Sequence, residues 1–84
     1  MTAAKEIETE LLEFLRREVF APDVALTPKT DLIASGFDSM SLVRLLVFVE
    51  TTYGLWLPQD ELNGDTLRDV CSLAATVSRL LHEK

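Results

Sequence analysis

One stretch limits what this chain can fold into: it is too apolar for the surface of a small protein and too short to cross a bilayer. It runs from Met40 to Tyr53, between Asp38-Ser39 and Gly54. Asp and Ser are strong N-caps, and Gly ends helices readily, so the stretch reads as a helix from Asp38 or Ser39 to about Tyr53. Wound as an α-helix, Leu42, Leu45, Leu46, Val49 and Tyr53 share one side. Met40 and Val47 fall on the opposite side, near Arg44 and Thr51. Val43 lies at the other flank and Phe48 between the two sides. A helix apolar all round is normally buried all round. A chain of 84 residues cannot easily surround one of its own helices. Some of these residues are therefore expected at the surface near the start of the helix, where an apolar patch marks an interaction site. The structural alternative packs Met40 under a loop and Phe48 against the last helix.

The rest of the chain supplies two more helices and no repeat, linker or low-complexity segment. From Ala3 to Val19, Ile7, Leu11, Phe14 and Leu15 recur at helical spacing, widened by Leu12 and Val19. Glu6, Glu8 and Glu10 precede Arg16 and Arg17, an order that suits the helix dipole, and Pro22 lies past the end. Phe20 to Asp38 is a long loop broken by Pro28, Ser35 and Gly36. Val24, Leu26, Leu32, Ile33 and Phe37 are its candidate anchors to the core. After Gly54, Gln59 to Leu62 can make one helical turn. A last helix is expected from Asp65 or Thr66 to about His82, with Leu67, Val70, Ala74, Val77 and Leu81 as its stripe and Cys71 as a small core residue beside it. The expected architecture is all-α: a small four-helix bundle of three main helices and one short one, in a single domain over residues 1–84.

Composition excludes several functions. The formal charge of −6 repels a phosphate backbone, so nucleic acid is not expected as a partner, whereas basic patches on proteins are. One cysteine and one histidine, Cys71 and His82, cannot make a disulfide or a structural zinc site. No apolar run spans a bilayer, and Met1 to Glu10 is acidic with no signal core, which places the expected monomer in the cytoplasm.

The informative words stand just before the central helix: Asp31-Leu32-Ile33-Ala34-Ser35-Gly36-Phe37-Asp38-Ser39-Met40. Gly36 permits a sharp turn, Phe37 can anchor it, and Asp38 and Ser39 open the helix. This puts a hydroxyl at a helix N-terminus, where free N–H groups and the dipole favour a phosphate. Gly36-Phe37-Asp38-Ser39-Met40 closely resembles the Gly-x-Asp-Ser-Leu signature of the acyl carrier protein family. The likeness covers the whole chain. The first helix, the loop with Thr30-Asp31-Leu32, the Asp-Ser helix with Glu50, Tyr53-Gly54, a short acidic helix and a final amphipathic helix all follow in family order.

The resemblance implies that Ser39 accepts 4′-phosphopantetheine from coenzyme A, through a separate phosphopantetheinyl transferase that uses magnesium. Asp38 would help that enzyme and its metal engage the site. The arm would hold an acyl or aminoacyl group as a thioester, loaded by a ligase or acyltransferase and consumed by downstream synthase or tailoring enzymes. Met40, in place of the usual leucine, with Val43, Arg44 and Val47, would form the docking surface. One departure matters. Carriers of fatty-acid synthesis usually have several acids along this helix; here only Glu50 follows Asp38, and Arg44 stands in the middle. That pattern is closer to a dedicated carrier of polyketide or nonribosomal-peptide type, although Ser35-Gly36-Phe37-Asp38 is not the usual Gly-Gly-Asp/His-Ser of peptidyl carriers.

Two other functions compete. A nucleophilic serine needs a base, and neither a lysine near Ser39 in sequence nor a Gly-x-Ser-x-Gly motif is present, so the chain is not expected to be an enzyme. An unmodified helical adaptor would use Ser39 only as an N-cap and dock through the same apolar patch.

Overall fold

The computed structural model describes residues 3–83. Met1, Thr2 and Lys84 lie outside the described residues, and with them the ends of the expected 1–84 domain and the first two residues of the acidic N-terminal stretch. Among the described residues the chain forms three α-helices and one short 3-10 turn, with no strand.

Helix α1 spans Ala4–Glu18, flanked by Ala3 and Val19 as its cap positions. Its buried stripe is Ile7, Leu11, Phe14 and Leu15, as the spacing predicts. Helix α2 spans Ser39–Tyr53 and helix α3 spans Val70–Glu83. Between them, where a fourth helix is expected, only Gln59–Glu61 makes a 3-10 turn. Helices α1 and α3 pack directly on each other. Helix α2 joins the core through Leu45 and Val49, both fully buried, and through Phe48, whose ring stacks on Phe14 at 4.4 Å and meets Tyr53 edge-on at 6.2 Å. Phe48 therefore packs against α1 through Phe14. Leu42, Leu46 and Tyr53, expected on the core face, are only partly buried.

The loop from Phe20 to Asp38 is pinned as expected by Leu26, Leu32 and Phe37, all buried, with Val24 partly so. Ile33 does not join them: it is 55% exposed. Leu32 turns inward, and its neighbour in the same tight turn has to face out. Polar bonds hold the loop as well. Arg16 Nη2 donates to the Leu26 carbonyl at 2.7 Å, the Leu32 amide donates to the Arg68 carbonyl at 2.9 Å, and the Cys71 amide donates to the Pro28 carbonyl at 3.0 Å.

These bonds also explain where α3 begins. The sequence predicts a start at Asp65 or Thr66, but that segment is occupied by turns around Asn63. The Asn63 side chain accepts the amides of Asp65 and Thr66, each at 3.0 Å. The Arg68 carbonyl is given to the loop, and the cap is Asp69. Its carboxylate accepts the Ser72 amide at 2.7 Å, while its carbonyl accepts the Leu73 amide at 3.1 Å. Leu67 is still buried, but it packs from a turn preceding α3. Val70, Leu73, Ala74 and Val77 form the buried face of α3, whereas Leu81 and Cys71 are only half-buried.

Candidate functional site at the start of helix α2

The residues from Leu32 to Phe37 form a compact turn that sets the direction of α2. The Ser35 amide donates to the Asp31 and Leu32 carbonyls, both at 3.1 Å, and the Phe37 amide returns to the Leu32 carbonyl at 3.0 Å. Gly36 sits at φ 111°, a backbone region that side chains with a Cβ rarely adopt. Space for a Cβ exists there, so the requirement is conformational. Phe37 then enters the core, and the chain emerges as Asp38.

Asp38, not Ser39, is the N-cap. Its Oδ1 accepts the Ser41 amide at 2.9 Å and the Ser41 hydroxyl at 3.0 Å. The Ser41 amide bond, then the Ser41 hydroxyl bond, holds the Asp38 carboxyl below its usual range, so it is ionised near neutrality. The first intrahelical bond runs from the Leu42 amide to the Asp38 carbonyl at 2.9 Å. Sequence reasoning missed Ser41, which is buried and completes the cap. Its signal is a hydroxyl three residues after an N-cap acid, the spacing at which a side chain folds back on the cap.

Ser39 is thereby freed from capping. It occupies the first helical position, is exposed, and its hydroxyl has no partner among the described residues. A phosphodiester on this oxygen fits the place, since the positive end of the α2 dipole lies beneath it. His82, the only histidine, is held within α3 by the Ser78 carbonyl at 2.7 Å from its Nδ1.

The expected docking residues lie together on the outer face of α2. Met40 is 65% exposed, Val43 54% and Val47 59%. Arg44 is exposed between them and donates from Nη1 to the Glu18 carbonyl at 3.0 Å, which steadies the guanidinium against the end of α1. Met40 is thus not packed under the loop. Two open clefts flank α2. One, of about 390 Å³, lies against α1 and is lined by Phe14, Arg17, Val43, Arg44, Val47 and Phe48, among others. The other, of about 370 Å³, lies against the segment after Gly54 and is lined by Leu42, Leu46, Trp56, Leu57, Gln59 and Leu62. Trp56, 63% exposed, is the large apolar residue that sequence reasoning passed over; it lies outside any periodic stripe. No group of three or more His, Cys, Asp and Glu side chains among the described residues is arranged to hold a metal, and no helix there is long and apolar enough to cross a membrane.

A family model described as the phosphopantetheine attachment site matches residues 6–74, a span that covers α1 from its third residue, the loop, α2 and the start of α3. No curated protein matches the chain.

Proposed function

The chain belongs to the acyl carrier protein family, whose domain is the attachment site for covalent 4′-phosphopantetheine, and on that premise we propose that the arm is borne by Ser39 in a single carrier domain over residues 1–84. The observation that carries this assignment is the exposed, unpartnered Ser39 hydroxyl at the first position of α2, inside the matched span. When bound, the arm supplies a terminal thiol that holds cargo as a thioester. The protein's own residues do the rest. Gly36 and Phe37 set the turn, Asp38 and Ser41 close the helix end, and Ser39 is left facing outward. The ionised Asp38 is the residue preceding Ser39, a suitable handle for the magnesium-dependent phosphopantetheinyl transferase that would modify it.

Domains of this kind are generally not catalysts; they are modified by a separate transferase and serve biosynthetic enzymes. The finer assignment rests on α2. It carries no acid in its first turn, and Glu50 is its only acidic residue. Enzymes that read a row of acids would find little to hold. This favours a carrier dedicated to polyketide or nonribosomal-peptide-type biosynthesis, with an acyl or aminoacyl cargo; we propose that it acts as a monomer in the cytoplasm.

The test is the intact mass before and after incubation with coenzyme A, magnesium and a broad-specificity phosphopantetheinyl transferase. A single added phosphopantetheine is expected on the wild type and none on Ser39→Ala. Because no hydrogen bond is lost with that hydroxyl, Ser39→Ala should stay within about 0.5 kcal/mol of wild-type stability. Modification of the alanine variant would move the attachment to another residue.

A further inference from the structure

We infer that the groove between α1 and α2 receives an acidic helix of a partner enzyme, with one apolar side chain of that helix seated between Phe14 and Val47. The inference deepens the carrier reading, on which it relies only for the partner's being an enzyme that handles the thioester. The floor of the groove is the Phe14–Phe48 stack, and its wall is the exposed Val43 and Val47. An apolar floor of this kind takes an apolar knob.

The rim decides the sign of the partner. In a chain of net charge −6, this groove carries two arginines, Arg17 and Arg44. Arg44 is positioned by a backbone carbonyl at the end of α1 and joins no ion pair among the described residues, so no carboxylate engages it. Among the described residues Arg17 pairs only with the adjacent Glu18, at 3.1 Å, with its side chain 63% exposed. A pair so exposed is weak and readily exchanged. Glu18 is the only acidic residue lining the groove, and its carboxylate is the one engaged by Arg17. A basic partner would meet two cations at this rim, whereas a carboxylate-bearing helix would pair with both.

The experiment uses two synthetic helical peptides of about four turns with the same apolar stripe, one flanked by Glu and the other by Lys. Each is titrated into isotope-labelled full-length protein and followed by amide chemical shifts. The Glu peptide is expected to shift Phe14, Arg17, Val43 and Val47, to bind at least about tenfold more tightly than the Lys peptide, and to weaken with added salt. Arg44→Glu is expected to reverse the preference. Arg44→Gln, which removes the charge but keeps a donor for the Glu18 carbonyl, is expected to reduce the preference to what Arg17 alone supports. Four results would overturn the inference: equal or tighter binding of the Lys peptide; shifts centred on Trp56; self-association of the protein through the groove in sedimentation; or the same groove shifts on loading a medium-chain acyl thioester with no peptide present. The wild-type mass gain on the same preparation separates the two readings. Mass gain with a Lys preference ends the groove inference alone. A Glu preference without mass gain ends the carrier reading and leaves the groove's chemistry standing.

Discussion

Replacing Asp69 tests the account of how the loop and α3 hold each other. The Asp69 side chain is buried and caps α3 through the Ser72 amide at 2.7 Å. Its ion pair with Arg68, at 3.7 Å and with the arginine exposed, adds little. In Asp69→Ala the Ser72 amide loses its acceptor. Loss of an N-cap costs about 0.5–2 kcal/mol, and the upper half of that range applies because the site is partly shielded from water. For a domain of this size, about 1.5 kcal/mol lowers the melting temperature by roughly 10 °C. Asp69→Asn keeps an acceptor oxygen and should cost only about 0.5 kcal/mol, most of it the lost charge at a helix N-terminus. The pH dependence discriminates further. Burial pushes the Asp69 carboxyl up, but the Ser72 amide and hydroxyl, Arg68 and Lys29 together bring it below the usual range. A carboxyl lowered in the folded state stabilises above its unfolded value, and that contribution is lost as pH falls through the folded one. Between about pH 5 and pH 3 the wild type should therefore lose stability more steeply than Asp69→Asn. The assay is thermal unfolding followed by circular dichroism across that range, with hydrogen exchange at the Leu32 and Cys71 amides. Those amides, bonded to the Arg68 and Pro28 carbonyls, should exchange faster in Asp69→Ala. Equal melting temperatures for the Ala and Asn variants would refute the capping argument; unchanged exchange at Leu32 would refute its link to the loop.

Two more predictions concern α2. Val47 is exposed, so Val47→Asp should leave the melting temperature within about 3 °C of wild type while lowering the rate of acyl transfer to partner enzymes; equal transfer rates would remove Val47 from the docking surface. Tyr53 donates its hydroxyl to Glu10 Oε1 at 2.6 Å, and burial, then that bond and the Glu10 charge, push the phenol well above its ordinary value. Its ultraviolet titration should begin at higher pH than that of a free tyrosine in the wild type, with an earlier onset in Glu10→Gln; since the folded phenol is the harder one to ionise, stability should fall as pH rises past the unfolded value of about 10.

The ends of α2 were legible in the sequence because each is marked by a residue with a local job. Asp38 caps, and Gly54 takes the left-handed conformation at φ 65°. The start of α3 was not legible in this way. Asp65, Thr66 and Asp69 are all competent caps, and Leu67 extends the helical stripe backward. What selects Asp69 is tertiary: the Arg68 carbonyl is bound to the Leu32 amide of a distant loop. The anchors of that loop were readable as a group, but the choice between the adjacent Leu32 and Ile33 depends on the turn's orientation. At the site, the motif gave Gly36, Asp38 and Ser39, while Ser41 was hidden because a hydroxyl inside a helix has no single role. The exposure of Met40 and Val47 followed from counting apolar residues against the surface available to cover them, whereas Val43, on the flank of the same helix, was not separated by that count.

With the arm on Ser39, as proposed, the place of that residue within α2 also sets the geometry of delivery. A serine on a mobile loop would add the loop's wandering to that of the arm. Here the proposed root of the tether lies on the first turn of a capped helix, so all the freedom of the cargo belongs to the arm. The volume the thiol explores is then set by the arm's length from a stationary point. A docked enzyme sees a local concentration of cargo determined by how far its entrance lies from that point, and sliding the docking register along α2 would retune it without any change in affinity.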